Sequence, residues 1–257
     1  MNIDLALIDM DGTVYSGDKP IDGVNSALDF LRENNVETFF LTNYACRKRR
    51  NYSEKLEKMG LEISESEIVT SGWLTAKYLT QEFPDSEVFV LGEDGLRREL
   101  IDAGVNLVEK CESPDVVVVS NKHDLDYGDL REMLQGVDKN TEILGTNPDE
   151  TIPGDDGEIP GAGTIISAVE SMTEKTAEIV GKPSKNAVKT VTEMKNVDPE
   201  DCVMIGDRLN TDILMAEENN MKSVLVLSGV SGEDTVENSD ISPDHVLDSI
   251  AEIEKVL

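Results

Sequence analysis

At 257 residues the chain can bury a large core, either as one large domain or as two modest ones. Its 53 acidic residues against 23 basic ones give a formal net charge of -30, which argues against nucleic acid or an anionic membrane surface as the main partner, because phosphate-bearing surfaces are gripped by Lys and Arg. No apolar run is long enough to span a bilayer, and the N-terminus lacks a basic stretch followed by a cleavable apolar core, so no secretory signal is expected.

Short apolar runs alternate with amphipathic segments, which predicts an α/β fold with a mostly parallel sheet. A buried strand is expected over 5–8, Leu5-Ala6-Leu7-Ile8, and it delivers Asp9 and Asp11 onto the turn Asp9-Met10-Asp11-Gly12-Thr13. Helical spacing of Val24, Ala27, Leu28 and Leu31 predicts a helix over 24–33. A strand over 38–41 runs into Thr42-Asn43, and a helix over 47–59 follows. Further strands are expected over 68–70, 88–91, 116–119 and 143–144. Between residues 147 and 161 the chain is dense in Pro, Gly and Asp, from Asn147-Pro148-Asp149 through Pro153-Gly154-Asp155-Asp156-Gly157 to Pro160-Gly161. That composition predicts a long functional loop, and its acids do not follow the calcium-loop spacing. A strand over 179–180 enters Gly181-Lys182-Pro183-Ser184, with a helix over 186–194 behind it. A strand over 203–205 enters Gly206-Asp207-Arg208, with Asp212 five residues beyond Asp207, and a last strand lies over 224–227.

Three cysteines, Cys46, Cys111 and Cys202, form no close pair, so free thiols in a reducing cytoplasm are expected rather than a disulfide framework or a zinc knuckle. The acids are spread along the whole chain. A solvated surface accounts for them, and adaptation to high salt, where screening relieves self-repulsion, is the sharper reading.

Four separated segments share one form, an apolar strand ending in a residue suited to phosphate chemistry: Asp9 with Asp11, Thr42 with Asn43, Lys182, and Asp207 with Asp212. Parallel strands bring such ends to one rim. Charge accounting then suggests roles. Asp9 can attack phosphorus in line. A carboxylate and a phosphate charge about 4 Å apart repel by about 4 kcal/mol at an intermediate effective dielectric. Magnesium held by Asp9, Asp207 and the main-chain carbonyl of Asp11 offsets that repulsion, and Lys182 adds a second positive charge. Thr42 and Asn43 hold phosphoryl oxygens, and Asp11 suits general acid/base work because crowded carboxylates raise one another's pKa. Among Arg47, Arg49 and Arg50, Arg47 is the best placed to meet an anionic substrate.

These residues resemble the haloacid dehalogenase (HAD) superfamily phosphatases, in the subfamily IIA branch typified by NagD-like and 4-nitrophenylphosphatase-like proteins, over nearly the whole length. The first family motif matches Asp9-Met10-Asp11-Gly12-Thr13-Val14-Tyr15, the second Thr42-Asn43, the third Gly181-Lys182-Pro183-Ser184 and the fourth Gly206-Asp207-Arg208-Leu209-Asn210-Thr211-Asp212-Ile213. Thr146-Asn147-Pro148-Asp149 and Pro160-Gly161-Ala162-Gly163-Thr164 resemble loops of the family's α/β cap. The resemblance implies a Rossmann-like core over 1–80 and 182–257 and an inserted cap of the C2 type over 81–181 that selects substrate. It also implies catalytic Asp9, Asp11 and Lys182. The implied phosphate and substrate contacts come from Thr42, Asn43, Arg47, Asn147 and Asp149, and the implied metal set is Asp9, Asp11, Asp207 and Asp212, the last acting mainly through water. Two departures, Tyr44 after Thr-Asn and Ser120-Asn121-Lys122-His123-Asp124 after a cap strand, bear on substrate choice.

The expected function is magnesium-dependent hydrolysis of a small phosphorylated metabolite (a sugar phosphate, nucleotide or aryl phosphate) through an aspartyl-phosphate. Phosphoryl transfer to another acceptor on the same fold, and a non-catalytic receiver-like module, stand as alternatives. Association into a homo-oligomer stays open.

Overall fold

The computed structural model describes residues 3–154 and 157–257. The chain divides into two compact units. One comprises Met1–Thr42, Arg49–Val69 and Lys182–Leu257, and the other Asn43–Lys48 and Thr70–Gly181. The sequence boundary expected at 80/81 lies about one helix later than this division, since Ser71–Glu82 belongs to the second unit, which also takes in the short segment Asn43–Lys48.

The first unit is built on a six-stranded sheet in the order His245–Leu247, Lys222–Val226, Cys202–Gly206, Leu5–Asp9, Glu37–Thr42, Ile68–Thr70. Leu5–Asp9 pairs in parallel with Glu37–Thr42 on one side and with Cys202–Gly206 on the other. Both Leu5–Asp9 and Cys202–Gly206 are buried at all five positions, which is why they read as unbroken apolar runs rather than alternating ones. The chain winds outward from Leu5–Asp9 to Glu37–Thr42, then returns after the second unit to Cys202–Gly206 on the opposite side. That reversal makes the carboxyl ends of Leu5–Asp9 and Cys202–Gly206 the topological switch point of the sheet. The helix Val24–Glu33 has the expected bounds and buries Val24, Ala27, Leu28 and Leu31.

The second unit has its own four-stranded sheet, in the order Glu178–Ile179, Glu142–Gly145, Val116–Val119, Val88–Leu91, with parallel pairing throughout. A separate core of Phe89, Leu91, Val117, Val119, Met133, Ile143, Ile165, Ile166 and Val169 packs there. The Pro-, Gly- and Asp-rich stretch is not simply a loop. Thr151–Gly154 and Gly157–Pro160 pair antiparallel, Ile152 opposite Ile159, so cross-strand pairing organises a segment whose Pro and Gly residues read as turn formers. Asp155 and Asp156, which the sequence also places in that loop, lie outside the described residues. Two other short pieces carried too few residues for a periodic signal: the hairpin Tyr15–Ser16 with Lys19–Pro20, and the edge strand His245–Leu247. Among the described residues, no helix is long and apolar enough to cross a membrane.

Candidate active site at the switch point

Leu5–Asp9 carries Asp9 to the carboxyl edge of the first sheet with its side chain nearly buried. The chain then turns back on itself: the Gly12 amide donates to Tyr15 O at 2.7 Å, and the Val14 and Tyr15 amides donate to Met10 O at 2.9 and 3.1 Å. Gly12 is required twice over. Its φ is +88°, and a Cβ there would sit 2.4 Å from Asp207 Oδ2. On the neighbouring strand, Thr42 ends Glu37–Thr42 half-buried, one residue past the Asp9–Leu41 register pair.

Cys202–Gly206 delivers Asp207 in the same way, and Leu209–Ile213 follows as a single π-helical turn. Such turns insert an extra residue and are common at functional sites. Here the turn buries Asp212 completely, and Asp212 Oδ2 accepts from the Arg208 amide at 3.1 Å. Lys182 begins the chain's return to the first unit. It is buried, and its Nζ donates to Asp9 Oδ1 and, at 2.7 Å, to Asp212 Oδ1. Carboxylate oxygens of Asp9, Asp207 and Asp212 all lie within 4.8 Å of one another. Lys182, Asp9, Asp207 and Asp212 thus converge from three segments of the chain. Asp11, exposed as a whole residue but with its carboxyl partly desolvated, is not one of the three clustered acids.

Three carboxylates against one ammonium leave a formal charge of -2 in a buried place. The pKa shifts record that excess. Burial drives Asp9 well above the ordinary carboxylate range; Lys182 opposes this, and Asp212 and Asp207 add to it. Burial, then the Asp212 charge, push Asp207 up to about 6. For Lys182, burial favours the neutral amine, but Asp212 and Asp9 override it and hold the ammonium above the usual lysine value. Burial also raises Asp11, against the pull of Lys55 and Arg208. One further observation points the same way: Asp207 Oδ1 is buried and accepts no hydrogen bond. A set of hard oxygen donors with excess negative charge and one unspent buried oxygen fits a divalent cation of the magnesium type.

Sequence reasoning missed the segment 228–231. Ser228 Oγ donates to Gly12 O at 2.6 Å, the Val230 amide donates to Asp207 Oδ2 at 2.6 Å, and the Ser231 amide donates to Asp207 O at 3.1 Å. The signal was present, since Leu227-Ser228-Gly229 follows an apolar strand as the other four motifs do, but no ionisable residue marked it.

The remaining expected residues lie in the second unit. Asn147 is buried, and its side chain is committed locally. Nδ2 donates to Asn43 O at 2.8 Å and to Thr146 Oγ1 at 3.2 Å, while Oδ1 accepts from the Asp149 amide at 3.2 Å. Ser71 Oγ also donates to Asn43 O, so the Asn43 carbonyl anchors that turn. Asp149 is half-buried and its carbonyl accepts from the Gly163 amide at 2.9 Å, whereas Arg47 is exposed.

Comparison with known proteins agrees with this geometry. A family model described as haloacid dehalogenase-like hydrolase matches residues 6–106, and a HAD-hydrolase-like model matches residues 179–253. The acid sugar phosphatase of Staphylococcus aureus is 32% identical over 97% of this chain and 97% of its own. The chain belongs to the haloacid dehalogenase-like hydrolases. Among solved structures, the p-nitrophenyl phosphatase from Archaeoglobus fulgidus superposes with a TM-score of 0.94 at 29% identity, covering 100% of both chains. NagD from E. coli K-12 superposes with a TM-score of 0.89 at 26% identity over 98% of each chain. Within the HAD family this chain therefore falls in the NagD-like branch.

Proposed function

We propose that this HAD-type phosphatase hydrolyses the phosphomonoester of a small metabolite through an aspartyl-phosphate on Asp9, with magnesium held by Asp9, Asp207 and Asp212. The convergence of three buried carboxylates and one buried ammonium at the switch point carries this reading. Sugar phosphates and aryl phosphates head the candidate substrates, because the relatives bear those names. When bound, the cation would neutralise charge between the phosphate dianion and the acids that meet it.

The chain's own residues account for the rest. Lys182 donates to Asp9 Oδ1 and favours its charged form, opposing the desolvation that favours the acid. An Asp9 carboxylate oxygen forms a bond to phosphorus as the ester P–O bond breaks. The leaving oxygen takes a proton from Asp11, whose pKa partial burial raises in the direction a general acid needs. Asp11, now a base, removes a proton from the water that attacks the phospho-aspartate. The Asp9–phosphorus bond breaks, orthophosphate leaves, and both carboxyl groups return to their starting forms. Thr42, at the end of the adjacent strand, would donate to a phosphoryl oxygen, a role its position beside Asp9 supports.

Selection of the metabolite by the second unit, with Asn43, Arg47 and Asp149 as contacts and Asn147 shaping the turn that carries them, belongs to the same proposal. So does a cytoplasmic setting, which suits three free cysteines. Turnover of labelled p-nitrophenyl phosphate with magnesium, followed by acid quench and mapping of alkali- and hydroxylamine-labile phosphate, tests the mechanism. Label on Asp9 is expected, and label on another residue, or turnover by Asp9→Asn, overturns it.

A further inference from the structure

The cluster has two sides, and the second is made of uncharged groups. Asp207 Oδ2 accepts from the Val230 amide, at 2.6 Å, while Oδ1 accepts nothing. The segment that holds Oδ2 also holds the first acidic turn, because Ser228 Oγ donates to Gly12 O at 2.6 Å across 216 residues of sequence. The packing between these pieces has no slack. A Cβ on Gly229 would sit 1.9 Å from Asp207 Oδ2, and one on Gly12 would sit 3.0 Å from the Gly229 Cα. The Ser231 amide, bonded to Asp207 O at 3.1 Å, closes the same clasp from its other end.

We infer that residues 228–231 form a positioning clasp, in which Ser228 and the Val230 amide lock the Asp9 turn to the Asp207 turn and so determine that Asp207 presents Oδ1 to the cation. This rests on the metal reading of the site given above. Ligand-orienting partners of this kind govern affinity as strongly as many ligands do. Two carboxylates on separate turns repel each other, and a hydrogen bond from a half-buried hydroxyl to the carbonyl of one turn keeps them from spreading when no cation is present. Ser228 acts through Gly12, to whose carbonyl its hydroxyl donates.

Calorimetric titration of Mg2+ into the metal-free full-length chain tests this apart from catalysis. Ser228→Ala is expected to weaken Mg2+ binding by about 10-fold. Gly229→Ala, which forces a methyl against Asp207 Oδ2, should weaken it at least as much, and Ser228→Thr, which keeps the hydroxyl, should bind as the parent does. The magnesium concentration for half-maximal phosphatase activity should rise in step with the calorimetric Kd, and kcat at saturating magnesium should be largely regained. If Ser228→Ala and Gly229→Ala both fold, as judged by circular dichroism, and bind Mg2+ as the parent does, the clasp is refuted while the metal reading stands. If the parent itself binds no Mg2+, or Asp207→Asn binds as well as the parent, the metal reading fails and takes the clasp with it.

Discussion

The two units use one architectural device for opposite ends. Each is a parallel sheet whose carboxyl edge collects polar residues. At the first sheet these are Asp9, Asp207 and, beyond a π-turn, Asp212, with Lys182 among them. At the second, Ser120 and Asn121 follow Val116–Val119, while Thr146 and Asn147 follow Glu142–Gly145; all four are buried and none is charged. Three of these neutral side chains bond locally, Thr146 Oγ1 donating to Ser120 Oγ at 2.9 Å and Asn147 Nδ2 to the Asn43 carbonyl at 2.8 Å, while Asn121 Nδ2 is buried without a partner but carries no charge. The charged edge cannot close its own account: it retains surplus negative charge and an unbonded Asp207 Oδ1. A sheet edge becomes a reaction centre when what it buries is left electrostatically incomplete, and a structural joint when it is not.

The sharpest way to break this contrast is to neutralise the proposed nucleophile. Asp9→Asn should lower p-nitrophenyl phosphate turnover by about 10^4-fold or more, with an unchanged circular dichroism spectrum. Lys182→Met attacks the same edge from its cationic side. Removing one partner of a buried pair costs about 3–5 kcal/mol, so a clear fall in Tm is expected without metal, and added magnesium should restore more of it than in the parent. A Tm that does not respond to Lys182→Met would show that the cluster is not held by its ammonium.

The neutral edge should behave differently. Asn147→Ala leaves the Asn43 carbonyl short of a donor and should cost about 1–3 kcal/mol in thermal unfolding, while the calorimetric Mg2+ affinity stays at the parental value. A change in Mg2+ affinity would contradict the division between the edges. The smallest effect concerns the thiols. Burial, then nearby acids, push Cys111 up to about 11 and Cys202 up to about 12 from an ordinary value of 9.0. Both should therefore resist iodoacetamide at pH 8 until the protein unfolds. With the folded pKa raised, the unfolded chain ionises first. These thiols thus cost no stability below pH 9, and stability declines as pH climbs from there through about 12. Cys202→Ala should flatten that alkaline decline in a Tm–pH series.

Much of this site was legible in one dimension because apolar runs ending in Asp, Thr or Lys are both strand signals and site signals. Asp9 and Asp207 were marked that way, whereas the strand before Lys182, Glu178–Ile179, pairs in the second sheet rather than the first and Asp212 lies within a π-turn; the strands over 68–70, 88–91 and 116–119 have the bounds that hydrophobic patterning assigns them. Local pattern suffices there, because a strand buried on both faces has to be apolar throughout and can become polar only where it leaves the sheet. Hairpins such as Thr151–Gly154 with Gly157–Pro160 were illegible because pairing across a turn, rather than periodicity, forms them. Tertiary structure alone decided which acids meet, which oxygen of Asp207 is left over, and that Ser228 reaches Gly12. Those facts depend on hydrogen bonds and Coulomb forces between groups up to 216 residues apart, and a fraction of an ångström in their spacing decides whether an oxygen is spent on the fold or kept for a ligand.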